Sequence, residues 1–536
     1  MYALLLAFRY LRTRMIPLVA IGAVGLCVAL VVVVVGVMSG FLHQMEKAGK
    51  SLIGDVVVTN GLRGLPDPEG FIAELKQNES IAAATPLVDT FATIRMPYDE
   101  VRGVQVWGID PDSFDEVTGF AQTLHWTPEG SGTDWSEQDF RRDLSPELLM
   151  GLEAEGRALA RVEADGTVRP GICLGLEISI GNKRNNEGTY DPINRWFMPI
   201  QEPVVLTTIP PETLNTTPEP VSIAFAPVNE FSSGLFMIDK ERVFVPLAEA
   251  RRMTNMTPAE EVDEEGLPTG KVFPARSSKI LIRGNGLPEA QVREIVDAAY
   301  RRWAEREGYA INPMIFRVQT WRENQASFLQ PVENERELMR TLFSLVYLVC
   351  AGLVLAIFHA IVTEKTRDIG VLRALGATRP GIAMIFVQYG VVIGILGAIL
   401  GVLLGWVVVH NIALINQAIG DPPMAAVFVL GAVGLVGLWR FASGFRSGFL
   451  APRVLGTGLM LVGFGLGAAI WYIKANGLSR VIWDPAVYYF AEPPNRMDWW
   501  TALTTAIGAV VFSVVGAVFP AARAADVDPV EALRHD

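Results

Sequence analysis

The sequence predicts an α-helical integral membrane domain with four core spans and two further candidate spans, plus a large mixed α/β domain outside the bilayer. Three observations carry this. Of 536 residues, 50% are hydrophobic and only 19% charged, with mean hydropathy +0.31, whereas soluble chains are about 25% charged. Long uncharged apolar runs sit at both ends of the chain. Charge is segregated: residues 41–337 hold 29 Lys and Arg against 47 Asp and Glu, a net −18, while the remainder holds 16 against 10, a net +6. An acidic middle thus lies between basic, apolar flanks, and the basic stripe of a nucleic-acid binder is missing.

The first span is 16–40, 25 residues without a charge. About 20 apolar residues cross a bilayer. Arg9, Arg12 and Arg14 precede it on a short amphipathic run. A secretory signal would have a core of about 7–15 residues and a small-residue cleavage site. This core is longer and continues as GFLHQMEKAGK, so it reads as an uncleaved anchor. Three more long stretches follow: 338–362, with Arg340 at its edge; 381–409, uncharged and rich in glycine; and 500–521. In 381–409, Gly390, Gly394, Gly397, Gly401 and Gly405 recur at three- and four-residue steps, which lets helices approach closely in lipid. Segments 424–439 and 454–473 are weaker; the first, at 16 residues, is short for a crossing.

Lys and Arg in short loops set orientation. They cluster at the N-terminus, in 363–380 (Lys365, Arg367, Arg373, Arg379), in 440–453 (Arg440, Arg446, Arg453) and in the tail (Arg523, Arg534). Placing all four inside requires six crossings and leaves 41–337 outside; with four crossings the rest keeps its orientation.

Within 41–337, SLIGDVVVT, ATIRM, VRGVQVWGI, RVFVPL and SSKILIRG read as strands. FIAELKQN, SPELLMGLEAEG, VPLAEARRM and LPEAQVREIVDAAYRRWAEREG read as helices, the last with a start signal at Asn285–Pro288. Two loops are expected, 181–203 with Trp196 and Phe197, and the proline-rich 207–220. The acidic run 260–270 reads as solvated surface.

No GxxxxGK[ST], HExxH or GxSxG occurs. Gly49-Lys50-Ser51 lacks its partner glycine, because Gln44 stands there. Cys27, Cys173 and Cys350 are far apart, with no CxxC or disulfide framework, and read as buried small apolar groups. His43, His125, His359, His410 and His535 are scattered; His359 and His410 read as helix-end residues at the interface. No catalytic residue, cofactor or metal is assigned.

The sharpest signal is the loop from 359 to 386, HAIVTEKTRDIGVLRALGATRPGIAMIF. Glu364 to Leu375 is helix-like, with Ile369, Leu372 and Leu375 as an apolar stripe, and Glu364, Lys365, Arg367 and Asp368 spaced for i,i+3 pairs. Gly376 would end the helix; Thr378 would cap the next span, with Pro380 in its first turn. Such a helix either lies on lipid as an interfacial element or docks into a cytosolic partner.

At this loop the sequence resembles the MacB/FtsX-like ABC-transporter permeases, whose signature EKTRDIGVLRALGAT followed by a glycine-rich span looks like. The N-terminal ALLLAFRYLRTR…GVMSGFLHQMEKAGKSLIGDVVV is similar to the lipoprotein-releasing LolC/LolE type, and the C-terminal FPAARAADVDPVEALRHD to the family's closing motif. The resemblance implies an elbow helix and first span (1–40), a MacB-type periplasmic α/β domain (41–337) and an FtsX-like permease domain (338–536), set in the cell inner membrane with both termini cytoplasmic. It implies that Glu364, Lys365, Asp368, Ile369, Leu372, Arg373, Gly376 and Ala377 face a cytosolic ABC ATPase present in two copies. It further implies a stalk and substrate cavity at Phe41, Met45, Leu338, Leu342 and Phe343. Partners would be a second permease copy or homologue, membrane lipid, a lipoprotein cargo and a periplasmic carrier or adaptor; no nucleic acid is involved. The chain would be a permease subunit working by mechanotransmission, with ATP hydrolysis on the partner.

The sequence departs from the family pattern in two places. A hairpin, 424–473, is inserted before the last span, and the outer domain is enlarged around 181–220, where a carrier-binding hook would fall. Two alternatives remain: a MacB-like efflux permease, and an FtsX-like activator of cell-wall hydrolases that transports nothing.

Overall fold

The computed structural model describes residues 15–61, 64–97, 100–128, 144–179, 182–184, 190–192, 203–210, 219–262, 268–420, 423–447, 450–475 and 496–527. The arginines of the extreme N-terminus, Trp196 and Phe197, the acidic 263–267 and the tail from 528 lie outside them.

In chain order the main helices are α1 (Met15–Ile53), α2 (Pro68–Leu75), α3 (Glu289–Glu307), α4 (Ala326–Glu364), α5 (Thr366–Ala374), α6 (Arg379–His410), α7 (Met424–Ser447), α8 (Leu450–Ala475) and α9 (Trp499–Ala525). The main strands are β1 (Val56–Asn60), β2 (Ile81–Arg95), β3 (Val101–Ile109), β4 (Val168–Gly175), β5 (Val204–Thr208), β6 (Val221–Phe231), β7 (Arg242–Pro246), β8 (Lys279–Gly284) and β9 (Phe316–Thr320). The chain divides into two compact units, one of residues 45–329 and one of the flanking membrane helices.

Among the described residues, six helices are long and apolar enough to cross a membrane. The hairpin that the sequence left doubtful is among them: α7 runs on to Ser447, and its apolar stretch Met424–Gly444 has 21 residues. Counting apolar residues stopped at Trp439 because Arg440 follows; a helix continues through an interfacial arginine whose head reaches water.

The membrane unit is built on α1, α4, α6 and α9. One buried cluster takes Val24, Val28 and Val32 from α1, Val354 and Phe358 from α4, Phe386 and Ile393 from α6, and Ala509, Ala517 and Ala521 from α9. The glycine stripe of α6 makes this possible. A Cβ on Gly390 would lie 2.7 Å from the Ala517 Cβ and one on Gly394 2.9 Å from the Val510 Cα. On Gly397, Gly401 and Gly405 it would strike Val24, the Gly25 carbonyl oxygen and Val32 respectively, at 2.5–2.7 Å. The stripe therefore receives α9 at one end and α1 at the other. Helices α7 and α8 pack on each other by the same device: a Cβ on Gly437 would lie 2.6 Å from the Met460 nitrogen, and one on Gly463 2.3 Å from the Gly434 nitrogen. Exposed Trp439, Trp471, Trp499 and Trp500 lie near the helix ends, as amphipathic rings do at membrane interfaces.

The α/β unit holds two cores on one continuous sheet. Strands run β9-β1-β8-β2-β3-β7-β4-β6-β5, and β5 pairs again with β2 at Thr93–Arg95. Strands β2, β3, β7, β4, β6 and β5 therefore close into a six-stranded barrel, which leaves no free edge there. Its interior is filled by Val88, Ile94, Val106, Leu174, Leu206, Phe225 and Val243 among others. The second core lies where β9, β1, β8 and β2 are covered by α2 and α3, with Phe71, Tyr300 and Trp303 interlocked at ring distances of 5.0–5.6 Å. The 15-residue strand β2 serves both cores. The sequence showed only its end, ATIRM, because Pro86 interrupts the run. Pro86 is tolerated: pairing with β3 starts one residue later, at Leu87↔Ile109.

Candidate functional site

The loop between α4 and α6 folds as a helix held at both ends. Helix α4 stops at Glu364, and Lys365 takes φ −99° and ψ 8° before α5 begins. The predicted continuous helix from Glu364 to Leu375 is thus broken at Lys365, whose Nζ donates to Asp368 Oδ2 at 2.7 Å. At the other end Gly376 has φ +97°. Its N–H donates to the Arg373 carbonyl (3.1 Å) and that of Ala377 to the Leu372 carbonyl (3.0 Å). These two bonds are a Schellman closure, in which glycine takes the left-handed position. Thr378 then caps α6, its hydroxyl accepting from the Gly381 N–H at 3.3 Å, with Pro380 in the first turn.

One face of α5 is pinned to the membrane unit. Ile369 is 3% exposed and belongs to the same buried cluster as Val362, Ile382 and Ala524. Arg373 Nη1 donates to the Ala525 carbonyl at the C-terminal end of α9, where a cation also complements the helix dipole. Arg379 pairs with Asp526 at 3.6 Å. The opposite face is open: Glu364, Arg367, Asp368 and Val371 are exposed, and Leu375 is 81% exposed.

The predicted apolar stripe therefore divides, with Ile369 inward, Leu372 half-buried and Leu375 outward. Three-residue steps drift by about 60° each on a helix of 3.6 residues per turn. Two such steps carry Leu375 onto the free face. Ala377 is half-buried against the cluster. The links to Ala525 and Asp526 were not foreseen; the one signal for them is the arginine at 373 and the acid at 526.

The predicted stalk residues differ in exposure. Phe41 and Phe343 are half-buried, Leu338 is 64% and Leu342 57% exposed, and Met45 is buried. Met45 belongs to the α/β unit, whereas the other four belong to the membrane unit. Leu338, Leu342, Leu345 and Val349 make an exposed apolar stripe along α4, at the four- and three-residue steps of one helix face.

At the end of α1 the chain is tied into the sheet. Gly54, at φ +80°, turns the chain under the Ile282 carbonyl, 2.8 Å from where a Cβ would sit. Lys50 bridges Asp55 (2.8 Å) and Glu289 (3.2 Å). The Asp55 hydrogen bond outweighs partial burial and raises the Lys50 pKa above the ordinary lysine range. Trp321 Nε1 donates to Glu289 at 2.6 Å, and Arg322 pairs with Glu46 at 2.8 Å. Of the two span histidines, His410 stacks on Trp406, ring centroids 5.6 Å apart. Among the described residues no group of three or more His, Cys, Asp or Glu is placed to hold a metal.

Apolar spans around a tightly packed core, a pinned helix between two of them and a large α/β unit are the architecture of a multi-pass membrane protein. Comparison with known proteins gives the type. Residues 340–473 match the FtsX-like permease C-terminal domain and residues 18–158 the MacB-like periplasmic core domain. The lipoprotein-releasing system transmembrane protein LolC of Neisseria meningitidis is 24% identical over 436 residues, 77% of this chain and 85% of that protein. LolE of Haemophilus influenzae is 22% identical over 222 residues, 41% of this chain and 40% of its own. The macrolide export ATP-binding/permease protein MacB of Hyphomonas neptunium is 33% identical over 119 residues, 22% of this chain and 18% of its own. The chain is an ABC-transporter permease of the MacB/FtsX/LolC type, multi-pass in the inner membrane.

Proposed function

We propose that this permease releases lipoproteins from the inner membrane to a periplasmic carrier, driven by a cytosolic ATPase that grips α5. The observation that carries the reading is the two-faced α5: Ile369 and Arg373 fix it to α4, α6 and α9, while Asp368, Val371 and Leu375 are exposed. A helix so mounted passes force applied to its open face into three spans at once. The sequence contains no phosphate-binding loop, so the reading assigns hydrolysis to a separate subunit in two copies. It places both termini and α5 in the cytosol and 41–337 in the periplasm, in accord with the arginine-rich loops. A second permease chain completes the assembly, and the exposed stripe of α4 from Leu338 to Val349 faces lipid or that second chain. The extent of the likeness to LolC, 77% of the chain, favours a lipoprotein cargo.

The test is depletion of the chain in its native host followed by membrane fractionation. Lipoproteins normally sorted outward should accumulate in the inner membrane; unchanged sorting overturns the reading. The MacB-like core domain over 18–158 supports a second reading, efflux of a small molecule. Depletion would then sensitise cells to that compound and leave lipoproteins in place.

A further inference from the structure

The α/β unit contains a buried charge that its own residues leave incompletely partnered. Arg242 opens β7 opposite Gln105 of β3. Its guanidinium carbon sits over the Trp107 ring, 3.6 Å from the centroid. Nε and Nη2 both donate to the Gln105 side-chain oxygen, at 3.3 and 3.0 Å. Nη1 is buried and has no acceptor, and the Trp107 indole N–H has none either. The residue is 8% exposed. Asp89, Asp239 and Glu241 act on it only through space; Asp89 is spoken for by Gln105 (2.8 Å) and Lys279 (2.6 Å). Burial pulls the Arg242 pKa down to about 10, against the pull of those carboxylates. Buried charges are ordinarily paired, and an orphaned charged donor costs its full desolvation.

Arg242 and Gln105 form the polar wall of a cavity of about 270 Å³. Its other walls are apolar: Met45 from α1, Met237 and Ile238 from the short helix Phe236–Glu241 before β7, and Trp321 and Leu329. At about 30 Å³ for each group of water size, the space holds roughly nine of them. Methionine-rich walls adapt to irregular apolar guests. Glu241 also lines it but is exposed, where solvent and salt screen its charge.

We propose that this cavity binds an anionic single-chain amphiphile, in the simplest case a fatty acid, with its carboxylate on Arg242 and its chain along Met45, Met237 and Leu329. The carboxylate supplies the counter-charge that Gln105 does not. The apolar walls take the chain. The site is distinct from α5, and it stands whether or not the lipoprotein reading holds, because its readout is binding rather than transport.

Photolabelling of the full chain in lipid nanodiscs tests it. The probe is decanoate carrying a terminal diazirine, compared with the matching decanol, and labelled peptides are identified by mass spectrometry. The carboxylate probe should mark peptides containing Met237 and Leu329 at least fivefold more than the alcohol, whereas both should mark the spans alike. Arg242→Gln should abolish the excess and Arg242→Lys keep part of it. Gly49→Leu is a second variant that leaves Arg242 untouched: a Cβ there already lies 3.5 Å from the Trp321 ring, so a leucine fills the cavity and should suppress labelling. Equal labelling by acid and alcohol, or excess labelling that survives in Arg242→Gln or Gly49→Leu, overturns the proposal. So does an absence of label on Met237 and Leu329. If Arg242→Gln does not fold, the Gly49→Leu result decides.

Discussion

Two single positions show how position fixes what a residue can be. Gly401 and Gly431 both lie in spans, yet a Cβ on Gly401 would meet the Gly25 carbonyl oxygen at 2.5 Å, while one on Gly431 meets nothing within 4 Å. Gly401→Leu should therefore force α1 from α6 and cost ~1–3 kcal/mol or more. Gly431→Leu should leave the melting temperature of the purified chain unchanged. A similar loss for both would mean that α6 does not pack where the stripe places it. Cys173 gives a chemical check on the barrel. It is fully buried in β4, and burial, helped by the charge of Glu230, holds its pKa well above the ordinary thiol value. A raised pKa keeps the proton on, so at pH 8 the reactive thiolate is scarce. Maleimide should spare the Cys173 peptide in the folded chain and label it after denaturation. Rapid labelling of the native protein would show that β4 opens.

At the scale of the element, α5 separates what holds a helix from what the helix presents. Ile369→Ala removes a buried side chain from the α4–α6–α9 cluster and should cost ~2–5 kcal/mol. Leu375→Ala, on an exposed side chain, should leave stability within about 0.5 kcal/mol. The two should differ again in an ATPase pull-down: Leu375→Ala weakens capture while the fold holds. Capture undiminished by Leu375→Ala and by Asp368→Arg would remove the free face from the proposed coupling. The ends of this helix were legible in the sequence, because Gly376 and Thr378-Arg379-Pro380 are local signals whose geometry depends on neighbours three or four residues away. Its facing was not. Ile369, Leu372 and Leu375 share a hydrophobic character, but which of them is covered depends on Ala524 and Ala525, some 150 positions along the chain. The same limit hid the barrel. Strands β3 and β7 announced themselves by composition, whereas the closure of β5 onto β2 joins Thr93 to Thr207, a pairing that no local pattern encodes.

At the scale of the molecule, the α7–α8 hairpin raises the candidate spans among the described residues from four to six. Its two helices bury glycine against glycine, Gly434 and Gly437 facing Gly463 and Gly456, so their closest contacts are with each other. The buried cluster of the membrane unit takes residues from α1, α4, α5, α6 and α9 and none from α7 or α8 among those described. Small-residue packing of this kind needs no third partner, since helix association in lipid rests on close van der Waals contact rather than on hiding apolar surface from water. The outward faces, with Phe428, Leu435, Trp439, Leu461 and Trp471 exposed, are at home in acyl chains. A chain from which 424–475 is replaced by a short polar linker should therefore still insert with α1, α4, α6 and α9 packed as before. Its melting temperature should stay within a few degrees of the full chain, and ATPase capture through α5 should be retained. Because an even number of crossings is removed, α9 keeps its direction, and a cysteine placed after Ala525 should label from the same side in both forms. Loss of insertion would show that the hairpin guides assembly of the core. A stable core that no longer pairs with a second permease chain would instead make the outward face of α7 and α8 the contact surface between subunits.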